Sequence, residues 1–200
     1  MLAAMPVMAA YTGHVYVDKN KNGVFDQSEK PLAGIKVSDG LNVVETAADG
    51  SFTLPGHERE RFIFITTPSG YKTFNRHYHK IEKKQSGYDF GLIPYSGRIR
   101  KDGSHRYIHI TDTEIFNTEN HADWVNNVRD YARNEQAAFI IHTGDICYEK
   151  GLKAHIKLMN TENMDCPVFY CIGNHDLVKG KYGEELFESI YGPVYYSFDA

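Results

Sequence analysis

The chain has little of several things, and each shortage removes a class of explanation. Its 200 residues carry a formal charge of only −4, so it has no nucleic-acid signature and no electrostatic pull toward an anionic membrane surface. No apolar run is long enough to cross a bilayer as a transmembrane segment, and no low-complexity tract interrupts the sequence. Three cysteines, Cys147, Cys166 and Cys171, cannot all pair and lack zinc-knuckle spacing. They are expected as buried free thiols. The opening "MLAAMPVMAAYTG" lacks a basic segment, yet it is small and apolar, with Val7-Met8-Ala9 as a small-x-small cleavage point. Residues 1–12 are therefore expected to be a leader, either a signal-peptide remnant or an artificial one. The signal-peptide reading places the protein in the periplasm or outside the cell.

Tyr and Phe supply nearly all of a 13% aromatic share, which suits β-structure. From Gly13 to Leu92, "HVYV", "GIKVSDG", "NVVETAADGSFTLPG" and "RFIFITTPSGY" read as short strands, with Asp39-Gly40 and Asp49-Gly50 as hairpin signals. Residues 13–97 are expected to form a small antiparallel β-sandwich. Inside it, "DKNKNGVFDQSE" has the donor spacing of an EF-hand loop: Asp18, Asn20, Asn22, Asp26 and Glu29 around Gly23. The flanking segments read as strands rather than helices, so a calcium sensor is excluded. Two readings remain: a weak calcium site between strands, or an Asn/Gly-rich turn with no ion.

"PYSGRIRKDGSH" reads as a linker, and residues 98–200 change grammar to strand, helix, strand, helix, strand. "RYIHITD", "AAFIIHTGD" and "CPVFYCIGNHD" are the strands of an expected parallel sheet. Between them lie an amphipathic helix, with Trp124, Val125, Val128, Tyr131 and Ala132 on one face, and a shorter helix over "LKAHIKLMN". Each strand ends in metal-competent residues: Asp112-Thr113-Glu114, Gly144-Asp145, and Gly173-Asn174-His175-Asp176. Ligands of open parallel sheets bind outside the carboxyl ends of the strands, so the three clusters should converge. Helix-capping aspartates and a polar turn are the bland alternative. That alternative gives no reason for amide, imidazole and carboxylate to stand together after one strand and a glycine.

The "TDTE", "GD" and "GNHD" blocks, in that order from Arg106 onward, resemble the calcineurin-like metallophosphoesterases, as does "FESIYGPVYYSFD". The resemblance implies an α/β catalytic domain, a four-layer β-sandwich flanked by helices and incomplete here, preceded by the small all-β sandwich. It implies a hydrolase of phosphate esters, small or polymeric, using a dinuclear metal centre and metal-bound hydroxide for in-line attack. Asp112 would bind the first metal, Asp145 would bridge the two, and Asn174 would bind the second. His175 would stabilise the phosphoryl oxygens and protonate the leaving group, with Asp176 orienting its imidazole. Glu114 stands where the family carries His, and an oxygen ligand there favours manganese, iron or magnesium over zinc. "GDICY" also fits a pattern in which the tyrosine binds iron, so Tyr148 stays open as an alternative to Glu114. The family's later histidine blocks do not follow Asp176, which implies a fragment of a longer enzyme. His109 and His142 within strands and His155 on a helix are expected in core or surface roles, and His77 and His79 on a solvated face. Two readings compete with the hydrolase. One is a calcium-stabilised surface or binding module fused to a non-catalytic phosphoesterase-like fragment. The other is a pseudoenzyme that binds a phosphorylated ligand.

Overall fold

The computed structural model describes residues 10–85, 87–95, 98–119 and 121–200, which fall into two compact units. One runs to Pro94 and includes Tyr196–Asp199; the other is Tyr95–Tyr195.

Among the described residues, the first unit has nine short strands: β1 (Ala10–Val17), β2 (Lys30–Pro31), β3 (Lys36–Ser38), β4 (Val43–Glu45), β5 (Ser51–Pro55), β6 (Phe62–Ile65), β7 (Tyr71–Thr73), β8 (Tyr78–Lys80) and β9 (Phe90–Pro94). They form a sheet ordered β2-β1-β9-β7, with β5 also on β1, and a second sheet ordered β4-β3-β6-β8. Val15, Leu54 and Leu92 of the first sheet and Val37, Ile63 and Ile65 of the second are buried in one core. The period-two pattern explains this: in β5, Phe52 and Leu54 point in while Thr53 points out. This is the all-β sandwich.

Four details depart from the sequence reading. The expected leader lies mostly on residues 1–9, outside the described residues, but its last three residues belong to β1, where Tyr11 is buried. β1 and β9 pair in parallel, Val15 opposite Phe90, because no hairpin joins them to impose the antiparallel direction. Asp39-Gly40 does join an antiparallel pair, β3 and β4. Asp49-Gly50 makes a tight turn, with Gly50 N–H bonded to Ala47 O at 2.9 Å, but it passes the chain from one sheet to the other.

The fourth concerns β6, which is apolar on both faces. Phe62 and Phe64 pack with Tyr78 and the partly buried Tyr196. Asp199 N–H donates to Thr67 O at 2.9 Å, so residues 196–199 belong with the β unit and not with the second domain. His77 is accordingly not on a solvated face. Its ring lies 4.3 Å from that of Tyr196, and burial pushes its pKa down to about 4. His79 is tied to Asp89 O at 2.7 Å.

The second unit is β10 (Tyr107–Ile110), α1 (Ala122–Asn134), β11 (Phe139–His142), α2 (Tyr148–Leu158), β12 (Val168–Tyr170), a 3-10 turn at Asn174–Asp176, and α3 (Glu185–Tyr191). The strands form a parallel sheet in the order β10-β11-β12, so their carboxyl ends lie side by side. Ile110, Ile140 and Val168 share a core with Leu152 of α2 and Phe187 of α3. The buried stripe of α1 is narrower than expected: Val125 and Ala132 are buried, while Trp124 and Tyr131 are 37% and 59% exposed. Those two lie one residue back from the stripe, about 100° around the helix. Cys147 and Cys166 are buried and in no disulfide, as expected, but Cys171, just past the end of β12, is exposed.

Candidate metal centre

Three loops leave the ends of β10, β11 and β12, and backbone hydrogen bonds carry the sheet's pairing into them. Thr143 N–H donates to Ile110 O (2.9 Å), Asp112 N–H to Gly144 O (3.1 Å), Ile115 N–H to Ile146 O (3.0 Å) and Cys171 N–H to His142 O (2.7 Å). The second and third loops touch through their glycines. A Cβ on Gly144 (φ +100°) would fall 2.4 Å from Gly173 N, and one on Gly173 would fall 2.2 Å from Asp145 N. Glycine in "GD" and in "GN" is therefore a single requirement for close approach. Five of the eight non-glycine residues with positive φ among the described residues are Asp112, Glu114, Asp145, Cys147 and Tyr148. Such conformations cost about 1–3 kcal/mol each and cluster where function demands them.

The side chains follow from this frame. Asp145 Oδ1 accepts the His175 N–H at 3.0 Å, which fixes the third loop over the second. Asp112 is exposed, with Oδ2 accepting the Thr111 hydroxyl at 2.6 Å, and Asn174 is exposed as well. His175 Nδ1 is buried without a hydrogen-bond partner, 3.8 Å from Glu114 Oε1, and its ring is stacked on Tyr148 at 5.8 Å and 9°. Asp176 does not orient that ring. Its buried carboxylate accepts Cys147 N–H through Oδ1 and Gly173 N–H through Oδ2, both at 2.9 Å, so it braces two loops. The 3-10 turn carries it fully buried, with both carboxylate oxygens on backbone N–H groups.

Ligating atoms of Glu114, Cys147 and His175 all lie within 4.8 Å of one another. Among the described residues Asp112, Glu114 and Asp145 form no such group. Cys147, two residues after Asp145, is a neighbour of the site that only its place in the sequence signals. Burial, then the carboxylates of Glu114, Asp176 and Asp145, push its pKa up, so it stays a thiol beside oxygen donors. His109 is exposed, whereas His142 and His155 are fully buried, their pKa values pushed down by burial to about 4 and about 3. Exposed carboxylates on strained backbone and an unpartnered buried imidazole nitrogen fit divalent cations.

The EF-hand-like loop is built differently. Buried Asp18 accepts Asn22 N–H (3.2 Å) and Gly23 N–H (2.9 Å), and buried Glu29 accepts Lys19 N–H (2.8 Å) and Asp26 N–H (3.2 Å). Asn20 and Asn22 both donate to Asp26 Oδ2, at 2.7 and 3.0 Å. The loop lies between strands β1 and β2, with no helix on either side. Asp39, His57 and Glu60 also bring their ligating atoms within 4.8 Å. There His57 Nδ1 accepts Arg59 N–H (3.2 Å), which keeps the proton on Nε2, facing Asp39. That group is a hydrogen-bonded clasp.

Residues 105–199 match the family model described as calcineurin-like phosphoesterase, and residues 19–94 match the model of the N-terminal region of the same proteins. The chain belongs to the calcineurin-like phosphoesterases. Enzymes of this family hydrolyse phosphate esters with divalent metals, and the resemblance carried by "TDTE", "GD" and "GNHD" is thereby established. No curated protein is significantly similar to the chain. Among the described residues of this calcineurin-like phosphoesterase, no helix is long and apolar enough to cross a membrane.

Proposed function

We propose that the chain hydrolyses phosphate esters by in-line attack of water on phosphorus, at a centre of two divalent or mixed-valence cations. Asp112, Glu114, Asp145 and Asn174 would hold them. The supporting observation is the meeting of three strand-end loops, tied by Asp145 to the His175 N–H and by the Gly144–Gly173 contact. Bound there, the cations would supply Lewis acidity to the phosphoryl oxygens and a more acidic water. The chain's own residues orient and protonate. With Nδ1 of His175 buried, Nε2 is the nitrogen that can reach a substrate, where it would bond a phosphoryl oxygen and protonate the leaving group. Tyr148 stacks on the imidazole, and Asp176 fixes the backbone beneath it. As oxygen ligands, Asp112, Glu114, Asp145 and Asn174 would favour manganese, iron or magnesium over zinc.

Turnover of p-nitrophenyl phosphate and bis-p-nitrophenyl phosphate, with each metal supplied in turn, tests this reading and sorts monoesterase from diesterase. Hydrolysis with manganese or iron is expected. A folded chain inactive with every metal would instead leave a non-catalytic phosphoesterase-like fragment. A secondary proposal is that the Asp18–Glu29 loop takes calcium weakly, supported by two buried carboxylates in one twelve-residue turn. The small apolar leader supports export to the periplasm or beyond, and recovery of the protein only in the cytoplasmic fraction would count against it.

A further inference from the structure

His142 ends β11 on the buried face of the sheet, in register with Ile110 on one side and Tyr170 on the other. An apolar residue would pack there without the loss of hydration that an imidazole suffers. The imidazole has a reason only in what it bonds, and both its nitrogens are used. Nδ1 accepts the Gly144 N–H at 3.2 Å, which leaves the ring proton on Nε2, 3.0 Å from Thr113 Oγ1. His155, packed edge-on against it at 5.0 Å, has neither nitrogen hydrogen-bonded among the described residues. It is the control for burial without a task. The two partners of His142 are also informative. Thr113 sits between Asp112 and Glu114, both at positive φ, and Gly144 immediately precedes Asp145.

The geometry points to His142 as a positioning residue, whose two hydrogen bonds clamp the Asp112–Glu114 loop to the Gly144–Asp145 loop and so set the spacing of the carboxylates. This inference rests on the metal reading above and extends it beneath the surface of the site. Burial keeps the ring neutral, with its pKa at about 4, so the Nε2–H donor persists through the neutral range. The clamp matters because the first loop carries two strained residues and has Thr113 as its midpoint.

Calorimetric titration of the full chain with manganese tests the clamp through binding and not through turnover. His142→Leu and Thr113→Val are each expected to weaken manganese binding by about 10–100-fold. His142→Gln, whose amide can still donate to Thr113, and Thr113→Ser, which keeps the hydroxyl, should stay within about threefold of the parent. The double variant His142→Leu/Thr113→Val should be no weaker than His142→Leu alone, which already removes the bond to Thr113. Undiminished affinity in His142→Leu overturns the proposal. A long-range proton–nitrogen spectrum of the metal-free chain separates this failure from failure of the metal reading. If the parent binds no manganese yet His142 shows the Nε2–H tautomer, the metal reading fails and the clamp stands. An Nδ1–H tautomer overturns the clamp whatever the metal does.

Discussion

The Asp18–Glu29 loop and the three strand-end loops are both rich in oxygen donors, and they use them in opposite ways. In the first, Asp18 and Glu29 are turned inward onto backbone N–H groups, and Asn20, Asn22 and Asp26 bond one another. In the second, Asp112, Glu114 and Asn174 are exposed, the backbone is strained, and His175 Nδ1 is buried without a partner. A loop that satisfies its own polar groups needs no ligand to be stable. A loop that holds carboxylates outward on unfavourable φ values is maintained by its neighbours for something else. On the proposed reading, the fuller motif match marks the weaker site.

The largest effect that would break this contrast is in catalysis. Asp145→Ala removes both a metal-holding carboxylate and the acceptor of the His175 N–H, and turnover should fall by about 10³-fold or more. Full activity in that variant would remove the site assignment. Gly173→Ala is next: its Cβ would meet Asp145 N at 2.2 Å, so the second and third loops must part. A loss of about 3 kcal/mol in denaturant unfolding is expected, with manganese binding lost as well. An unchanged midpoint would show that the loops are not in contact.

A smaller effect should appear in acid. His142 and His155 are neutral when folded, with pKa values of about 4 and about 3, whereas the unfolded chain protonates near the usual 6.5. Below pH 6.5 the unfolded state therefore takes up protons that the folded state refuses. Stability is full above that pH, falls toward pH 4 and levels off near pH 3. His155→Leu should flatten this acid slope in the thermal midpoint; an identical slope would contradict the burial of that ring.

The smallest effect belongs to the calcium-like loop. With a dissociation constant of about 1 mM, 10 mM calcium adds about 1.4 kcal/mol, a rise of a few degrees in thermal midpoint. No rise would make the loop a turn without an ion. A rise larger than the one manganese gives at the strand ends would reverse the contrast.

Much of this was legible in the sequence because it depends on short-range pattern. The parallel sheet follows from three apolar strands with helices between them, and convergence of the polar blocks follows from the parallel order. What could not be read depends on pieces distant in sequence. The parallel pairing of β1 with β9 and the return of residues 196–199 to the β unit are of this kind. So is the role of Asp176: its carboxylate bonds the N–H of Cys147, a residue from another loop, and not the histidine beside it. His142 looked like an ordinary core histidine because its two partners become visible only once the loops are folded together.

Manganese titration of the full chain beside its Asp145→Ala variant tests the central claim most directly. The account predicts saturable binding to the parent and its loss in the variant. Binding of equal strength in both, or none in a folded parent, would contradict it.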